Sequence, residues 1–232
     1  MKNIGLIGGM SWESSAEYYR IINQMVHEKL GSPHSCECIM YSFDFEVIDK
    51  LQHEEKWNEL SLLLVDAAIK LERSGAELLV LCTNTMHLLA DTIEEAVTIP
   101  FLHIVDAIGR KILKKKMQKI GLLGTKFTME KEFYKERLNR LFGIEVIVPL
   151  PEERDFIHHM IYNELVNGMI NEASKKRVLT IIDHMSAAGA DGVILGCTEI
   201  PLIVRQNDCS ITLFDSTQIH AVAAVEMALI GD

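Results

Sequence analysis

The sequence repeats itself at an interval of about half its length, and this repeat limits the possible folds more than any other feature. IGLIG at residues 4–8 returns as IGLLG at 120–124, an offset of 116 residues. SGAELLVLC, which ends at Cys82, returns as AGADGVILGC, which ends at Cys197, an offset of 115 residues. Two pairs of landmarks at nearly one offset indicate two homologous halves.

Within each half, short apolar runs alternate with segments of helical periodicity. In the first half we predict strands near 3–8, 36–42, 77–82 and 99–104 and helices near 14–30, 53–74 and 85–97. In the second half we predict strands near 119–124, 144–148, 191–196 and 211–214. The pattern Ser14-x-x-Glu17 predicts a capping box at the start of the first helix.

Near-continuous apolar strands that alternate with helices are typical of parallel sheets covered on both faces. We therefore predict an α/β fold of two doubly wound lobes related by a pseudo-twofold axis. Each lobe is expected to contain a four-stranded parallel sheet, with the active site in the cleft between the lobes. We assign residues 1–105 and 212–232 to the first lobe and residues 106–211 to the second.

Composition excludes several classes of function. The 232 residues are 48% hydrophobic and carry a formal net charge of −10, which disfavours a nucleic-acid surface. No segment approaches the ~20 apolar residues needed to span a bilayer. The N-terminal MKNIGLIGGM leads directly into a predicted strand, without a signal-peptide pattern. We expect a cytoplasmic protein that binds neither nucleic acid nor membrane.

Cys82 and Cys197 stand out because each ends a predicted strand, is followed by a threonine and precedes a predicted helix. Ligands of parallel sheets bind beyond the carboxyl ends of the strands. A helix N-terminus offers free N–H groups that bind anions and lower the pKa of a thiol. Two such thiols on opposite faces of a substrate suit proton abstraction on one face and protonation on the other, which inverts a carbon without a cofactor.

The remaining cysteines and the histidines are interpreted more simply. Cys36, Cys38 and Cys209 are expected to be small hydrophobic residues, because no metal-ligand spacing surrounds them. His87 and His103 lie near the predicted site, and packing or capping is the favoured role for each.

The segments IGLIGGMSWESSAEYY, LCTNTMH and GCTEIP together resemble the aspartate/glutamate racemase family of cofactor-independent amino-acid racemases, in particular its bacterial aspartate/glutamate and broad-specificity members. The resemblance covers the whole chain. It implies two doubly wound lobes, usually a homodimer, a small amino-acid substrate, no cofactor and no metal. It also implies that the C-terminal helix, near 216–230, packs on the first lobe.

The resemblance also implies roles for single residues. Cys82 and Cys197 match the family's catalytic pair. Residues 83–85, which are Thr83, Asn84 and Thr85, match its turn for the α-carboxylate, and Thr198 is their counterpart in the second lobe. Met10 matches a substrate-contacting position, and Gln52 matches a position at the side-chain end of the substrate.

Two substitutions separate this chain from strict aspartate racemases, which place an arginine and a lysine near the side-chain carboxylate. This chain has Gln52 at the first position, and Glu164 lies in the helix where the lysine is expected. A neutral Gln cannot form the bidentate charged pair that Arg makes with a carboxylate. The pattern favours a substrate range broader than acidic amino acids, and Glu164 is a candidate contact.

Glutamate racemases of the wider family carry an aspartate in the first Gly-rich loop and a histidine after the second Cys-Thr. This chain has Gly9 or Met10 at the first of these positions and Glu199 at the second, which argues against that role. Two alternatives stay open at this stage. One is a maleate-type cis-trans isomerase of the same fold, and the other is a non-catalytic amino-acid-binding protein.

Overall fold

The computed structural model describes residues 1–230, which form two compact units. The first unit consists of Met1–Ile104 and the chain from His220 onward, and the second consists of Val105–Ile219. In both units strands and helices alternate along the chain, as the repeat predicts.

The elements of the first half of the chain are β1 (Ile4–Gly8), α1 (Trp12–Leu30), β2 (Cys38–Ser42), α2 (Phe45–His53), α3 (Trp57–Arg73), β3 (Leu78–Leu81), a 3-10 helix (Thr85–Leu89), α4 (Ala90–Glu95) and β4 (Phe101–Leu102). The next elements are α5 (Ile104–Lys114), β5 (Lys119–Gly124), α6 (Lys126–Glu130), α7 (Glu132–Phe142), β6 (Glu145–Ile147) and α8 (Pro151–Asn163). The last are 3-10 helices at Leu165–Asn167 and Gln206–Asp208, α9 (Glu172–Ala187), β7 (Gly192–Gly196), α10 (Ile200–Ile203), β8 (Thr212–Asp215) and α11 (Ser216–Leu229).

Each unit contains one four-stranded, wholly parallel sheet, and the two sheets have the same topology. The strand order is β2-β1-β3-β4 in the first unit and β6-β5-β7-β8 in the second. The predicted α/β class and the two four-stranded parallel sheets are confirmed. The central strands β1, β3 and β7 are buried along their whole length, which explains their uninterrupted apolar sequences.

The cores lie on both faces of the sheets. In the first unit, one apolar cluster packs α1 and α11 against the sheet, and another packs α2, α3 and α4 against the opposite face. The apolar face of α11, which contains Ala221, Ala224 and Val225, belongs to the first of these clusters. The predicted packing of the C-terminal helix on the first lobe is therefore confirmed.

The structure corrects three details of the helix prediction. The helix predicted over 53–74 is α3, which begins only at Trp57, and the separate helix α2 before it was not predicted; Glu55, whose φ of 53° lies in the left-handed region, interrupts the helical backbone between them. The helix predicted over 85–97 begins as a 3-10 helix. The capping box predicted at Ser14 is wrong, because α1 begins earlier and the Ser11 hydroxyl accepts from the Ser14 N–H.

The loop after β1 depends on a glycine. Gly9 has a φ of 84°, and a Cβ atom at this position would lie 2.3 Å from the backbone N and O atoms of Phe43. The loop therefore passes so close to the end of β2 that only glycine fits. Among residues 1–230, no helix is both long and apolar enough to cross a bilayer.

Candidate active site

Cys82 directly follows β3 in the first unit. Its N–H donates to the Ile7 carbonyl at 2.8 Å, so pairing with β1 continues one residue past the strand. The side chain is fully buried, and Sγ lies 3.9 Å from the Val80 carbonyl oxygen, a long and weak contact. The chain then turns, with the Thr83 N–H donating to the Leu81 carbonyl at 2.9 Å. Cys82 is thus held at the carboxyl edge of the sheet by backbone hydrogen bonds.

The polar residues after Cys82 are buried as well. Asn84 and Thr85 are 4% and 6% exposed, while Thr83 is half-buried. The Asn84 carbonyl accepts from the His87 N–H at 3.1 Å, which begins the 3-10 helix. Three short polar side chains therefore follow one another where an apolar strand would otherwise continue into an apolar helix.

The imidazole ring of His87 holds this turn through its two ring nitrogens. Its Nδ1 atom lies 2.7 Å from the Thr83 carbonyl oxygen, and its Nε2 atom lies 3.1 Å from the backbone nitrogen of Ile104. Since a carbonyl can only accept and a backbone N–H can only donate, Nδ1 carries the hydrogen and Nε2 is unprotonated. The buried ring is therefore neutral and links the Cys82–Thr83 turn to the start of α5.

A cluster of buried rings surrounds His87, and most of this cluster was not predicted from the sequence. The His87 ring centroid lies 4.7 Å from that of His103 and 5.6 Å from that of His220. His220 Nδ1 lies 2.8 Å from the Tyr18 hydroxyl, and His220 Nε2 donates to the Leu102 carbonyl at 2.8 Å. The signal available in the sequence was a histidine directly before the apolar run AVAAV in the predicted C-terminal helix; the structure shows that this histidine is fully buried.

Cys197 follows β7 in the second unit and has different surroundings. Its Sγ atom donates to Oε2 of Glu199 at 2.9 Å, and the Thr198 hydroxyl donates to the same oxygen at 2.6 Å. Glu199 is 6% exposed and precedes the short α10. The second Cys-Thr turn is thus organised around a carboxylate, whereas the first is organised around backbone groups and an imidazole.

The expectation that a helix start lowers the pKa of both thiols is wrong. Burial raises the pKa of Cys82, and the nearby Cys38 raises it further. Burial is also the largest cause of the raised pKa of Cys197, followed by the negative charge of Glu199. The N–H groups of Thr198 and Glu199 do lower the pKa of Cys197, but by less than burial and charge raise it.

The other predicted site residues are placed as follows. Met10 follows β1, which pairs with β3, so it lies at the same edge of the sheet as Cys82, and it is buried in an apolar cluster with Ile48 and Leu60. Gln52 is 3% exposed and lies in the last turn of α2. The sequence did not indicate that this glutamine is buried.

Glu164 follows the last residue of α8. Its Oε1 atom accepts from the Ser174 hydroxyl at 2.9 Å, which joins the end of α8 to the first turn of α9. Its Oε2 atom is buried and has no hydrogen-bond partner among residues 1–230. Within the same residues, no group of three or more His, Cys, Asp or Glu side chains is placed to hold a metal ion.

Comparison with known proteins gives the family. The family model described as Asp/Glu/Hydantoin racemase matches residues 7–224. The chain belongs to this family. The predicted family is therefore confirmed, and its members' activity makes this chain an isomerase of the racemase type.

Similar proteins span the whole length of the chain. The broad specificity amino-acid racemase RacX of Bacillus subtilis is 23% identical, over 97% of this chain and 98% of that protein. A crystal structure from Yersinia pestis, assigned provisionally as an Asp/Glu racemase, is 49% identical with a TM-score of 0.93 and covers 99% of this chain and 100% of its own. The crystal structure of an aspartate racemase homologue from Pyrococcus horikoshii OT3 is 39% identical with a TM-score of 0.86, and it covers 98% of this chain and 99% of its own.

Proposed function

We propose that this racemase inverts the α-carbon of a free amino acid, without a cofactor, by a two-base mechanism in which Cys82 and Cys197 are the acid–base groups. The observation that carries the proposal is the position of the two cysteines. Each directly follows the equivalent inner strand of a four-stranded parallel sheet, β3 or β7, and each is followed by a threonine. Ligands of such sheets bind at this edge.

The proposed reaction conserves protons. One cysteine, as thiolate, takes the Cα proton and becomes a thiol, leaving a carbanion that the carboxylate delocalises. The other cysteine, as thiol, gives its proton to the opposite face of Cα and becomes a thiolate. The two residues exchange roles for the reverse direction. Because burial raises the pKa of both thiols, a bound substrate has to favour the thiolate, and the α-ammonium group supplies a positive charge for this.

The polar turns bind the α-carboxylate and α-ammonium groups in this proposal. Thr83, Asn84 and Thr85 carry hydroxyl and amide groups directly after Cys82, and such groups suit a carboxylate. Thr198 differs, because its single hydroxyl hydrogen is donated to Glu199. Towards a ligand this hydroxyl offers lone pairs, so it suits the α-ammonium group.

The side-chain end of the substrate is assigned to Met10, Gln52 and Glu164. These residues supply a thioether, a neutral amide and a carboxylate, and none of them supplies a positive charge. The unpartnered Oε2 of Glu164 favours a substrate that donates a hydrogen bond over one that brings a second carboxylate. We therefore propose a range that extends beyond aspartate and glutamate to polar, uncharged amino acids, consistent with the similarity to a protein named as broad specificity.

The proposal is tested by incubating the purified protein with L-Asp, L-Glu, L-Ser, L-Met, L-Lys and maleate in deuterium oxide. Loss of the Cα proton is followed by NMR, and the enantiomer ratio by chiral chromatography. We expect exchange and racemisation of at least one amino acid without added pyridoxal phosphate, unchanged by EDTA. Conversion of maleate without amino-acid exchange identifies the maleate-type isomerase instead, and binding without exchange identifies an amino-acid-binding protein.

A further inference from the structure

The contact between Cys197 and Glu199 has no counterpart at Cys82. A carboxylate oxygen lies 2.9 Å from Cys197 Sγ, whereas the polar atom near Cys82 Sγ is a carbonyl oxygen at 3.9 Å. Although the repeat places the two cysteines at equivalent positions, their immediate surroundings therefore differ in charge. A symmetric reaction is carried out by two unlike thiols.

The geometry fixes where the Cys197 hydrogen lies. An ionised carboxylate can only accept hydrogen bonds, so both the Cys197 thiol and the Thr198 hydroxyl must donate to Oε2 of Glu199. Glu199 is almost fully buried, which strengthens its interaction with a neighbouring charge. Removing the proton from Cys197 places a thiolate beside this carboxylate, and the repulsion between two negative charges disfavours that state.

We propose that Glu199 is a positioning residue that keeps Cys197 in the thiol form and directs its S–H, so that Cys197 is the proton donor of the resting enzyme. This inference rests on the proposed two-base function. It makes Cys82 the group that takes the first Cα proton, and it biases the resting enzyme toward the enantiomer whose hydrogen faces Cys82. After each turnover in that direction, Cys82 is the thiol and Cys197 is the thiolate beside Glu199. The resting form returns when Cys82 releases its proton to water and Cys197 takes a proton from water.

A kinetic consequence separates this role from a purely structural one. The two enantiomers have equal free energy in water, so kcat/KM must be equal for both in the wild type and in every variant. A bias in the resting protonation state therefore appears only in kcat and KM taken separately. We expect Glu199→Gln to change kcat for the two enantiomers by different factors.

The direct test measures the thiolate at Cys197 and does not need substrate. Wild type and Glu199→Gln are alkylated with iodoacetamide between pH 6 and 10, and the rate at Cys197 is followed by peptide mass spectrometry. Because Glu199 raises the pKa of Cys197, removing its charge lowers that pKa, and alkylation accelerates by about tenfold for each pKa unit at pH values below it. Glu199→Asp retains the charge and should stay closer to the wild type.

The matched control is Glu152→Gln, which removes one negative charge from an exposed position in the first turn of α8. This variant should leave the Cys197 rate unchanged. The proposal is overturned if Glu199→Gln leaves the rate unchanged or slows it. If the wild type racemises amino acids but Glu199→Gln leaves the alkylation rate of Cys197 unchanged, the role of Glu199 is wrong and the two-base mechanism stands. If Glu199→Gln accelerates alkylation but the wild type does not racemise any amino acid, the effect of Glu199 on Cys197 stands and the two-base mechanism is wrong. Circular dichroism of both Glu199 variants checks the fold, and Glu199→Asp decides if the glutamine variant is unfolded.

Discussion

The Nδ1 atom of His87 lies 2.7 Å from the carbonyl oxygen of Thr83, and this hydrogen bond joins a buried imidazole to the turn that carries Cys82. The other ring nitrogen accepts from the Ile104 N–H. One side chain thus satisfies two backbone groups from separate parts of the first unit. His87 is not required as an acid or base for this role, since its neutral form makes both bonds.

Replacing His87 by Ala should lower the free energy of unfolding by about 1–3 kcal/mol, because the buried Ile104 N–H and Thr83 carbonyl lose their partner. The turn that holds Cys82 should also lose its orientation, so kcat is expected to fall more than KM rises. Chemical denaturation and steady-state kinetics measure the two effects. His87→Gln retains a donor and an acceptor and should recover part of the stability.

His159→Ala is the matched control for this variant. His159 bonds to the Asp155 carbonyl four residues earlier, as His87 does to Thr83, but it is exposed. Its loss should change stability by less than 0.5 kcal/mol, roughly the size expected for a surface substitution. Equal effects of the two variants contradict the role assigned to His87.

The fold followed from the sequence because strands that are buried on both faces have uninterrupted apolar sequences, and the repeat showed the same order twice. The surroundings of the candidate site could not be predicted from the sequence in this way. The histidine cluster depends on α11 returning to the first sheet, so His220 and Tyr18 meet across 202 positions in sequence. The pKa expectation failed because the helix start was considered without burial, which is the larger effect at Cys197.

Replacing Cys82 or Cys197, the two proposed acid–base groups, should abolish racemisation. Cys82→Ser and Cys197→Ser retain a hydroxyl that can hydrogen-bond, but a hydroxyl is a far weaker acid than a thiol and supplies no usable base at neutral pH. We expect kcat to fall by at least about a thousandfold, in line with loss of general acid–base catalysis. Substrate binding, measured by calorimetry, should change much less.

Cys209→Ser is the control, because Cys209 lies in a loop of the second unit and its thiol donates to the Ile211 carbonyl. This variant should retain wild-type activity. Full activity in either Cys82→Ser or Cys197→Ser is incompatible with two bases. Loss of activity in all three variants instead points to a general effect on folding, which circular dichroism distinguishes.

Thiol reagents should react first with Cys38, outside the candidate site. The neighbouring Cys36 side chain lowers the pKa of Cys38 to about 7, although burial opposes the shift, while the Cys36 thiol itself lies 3.3 Å from the Glu37 carbonyl oxygen. The thiolate fraction at Cys38 therefore rises as the pH increases through 7, whereas Cys82, Cys197 and Cys209 have raised pKa values. We expect Cys38 to be alkylated about tenfold faster than the other cysteines at pH 7.5. Both side chains also pack in the apolar cluster that contains α1 and α11, as predicted for small hydrophobic residues.

The measurement is peptide mass spectrometry after brief treatment with substoichiometric iodoacetamide at pH 6, 7 and 8. Cys36→Ala removes the neighbouring thiol that lowers the pKa of Cys38, so it should return that pKa towards the value of a free thiol and slow the alkylation of Cys38. Cys209→Ala should leave the Cys38 rate unaltered. If Cys82 or Cys197 is labelled before Cys38, the predicted order of reactivity is wrong. Inactivation by alkylation has to be measured in a Cys38→Ser background, so that only labelling within the site is counted.

Substrate range is the last prediction, and it depends on Gln52. This residue is buried in the last turn of α2 and is neutral. An arginine at this position can form a charge-assisted pair with a side-chain carboxylate, worth about 1.5–3 kcal/mol and hence roughly ten- to a hundredfold in affinity. We expect Gln52→Arg to raise kcat/KM for L-Asp and L-Glu relative to L-Ser and L-Met by a factor in this range.

His53→Arg adds the same charge at the exposed neighbouring position and should leave the ratio unchanged, which separates a local contact from a general attraction of anions. The decisive measurement is kcat/KM for the four amino acids on wild type and both variants, with the free energy of unfolding of each. A wild type that acts efficiently on aspartate alone, with no change in Gln52→Arg, contradicts the role of Gln52. In that case other donors, such as backbone N–H groups of the loop around Met10, recognise the side-chain carboxylate, while the assignment to the racemases is unaffected.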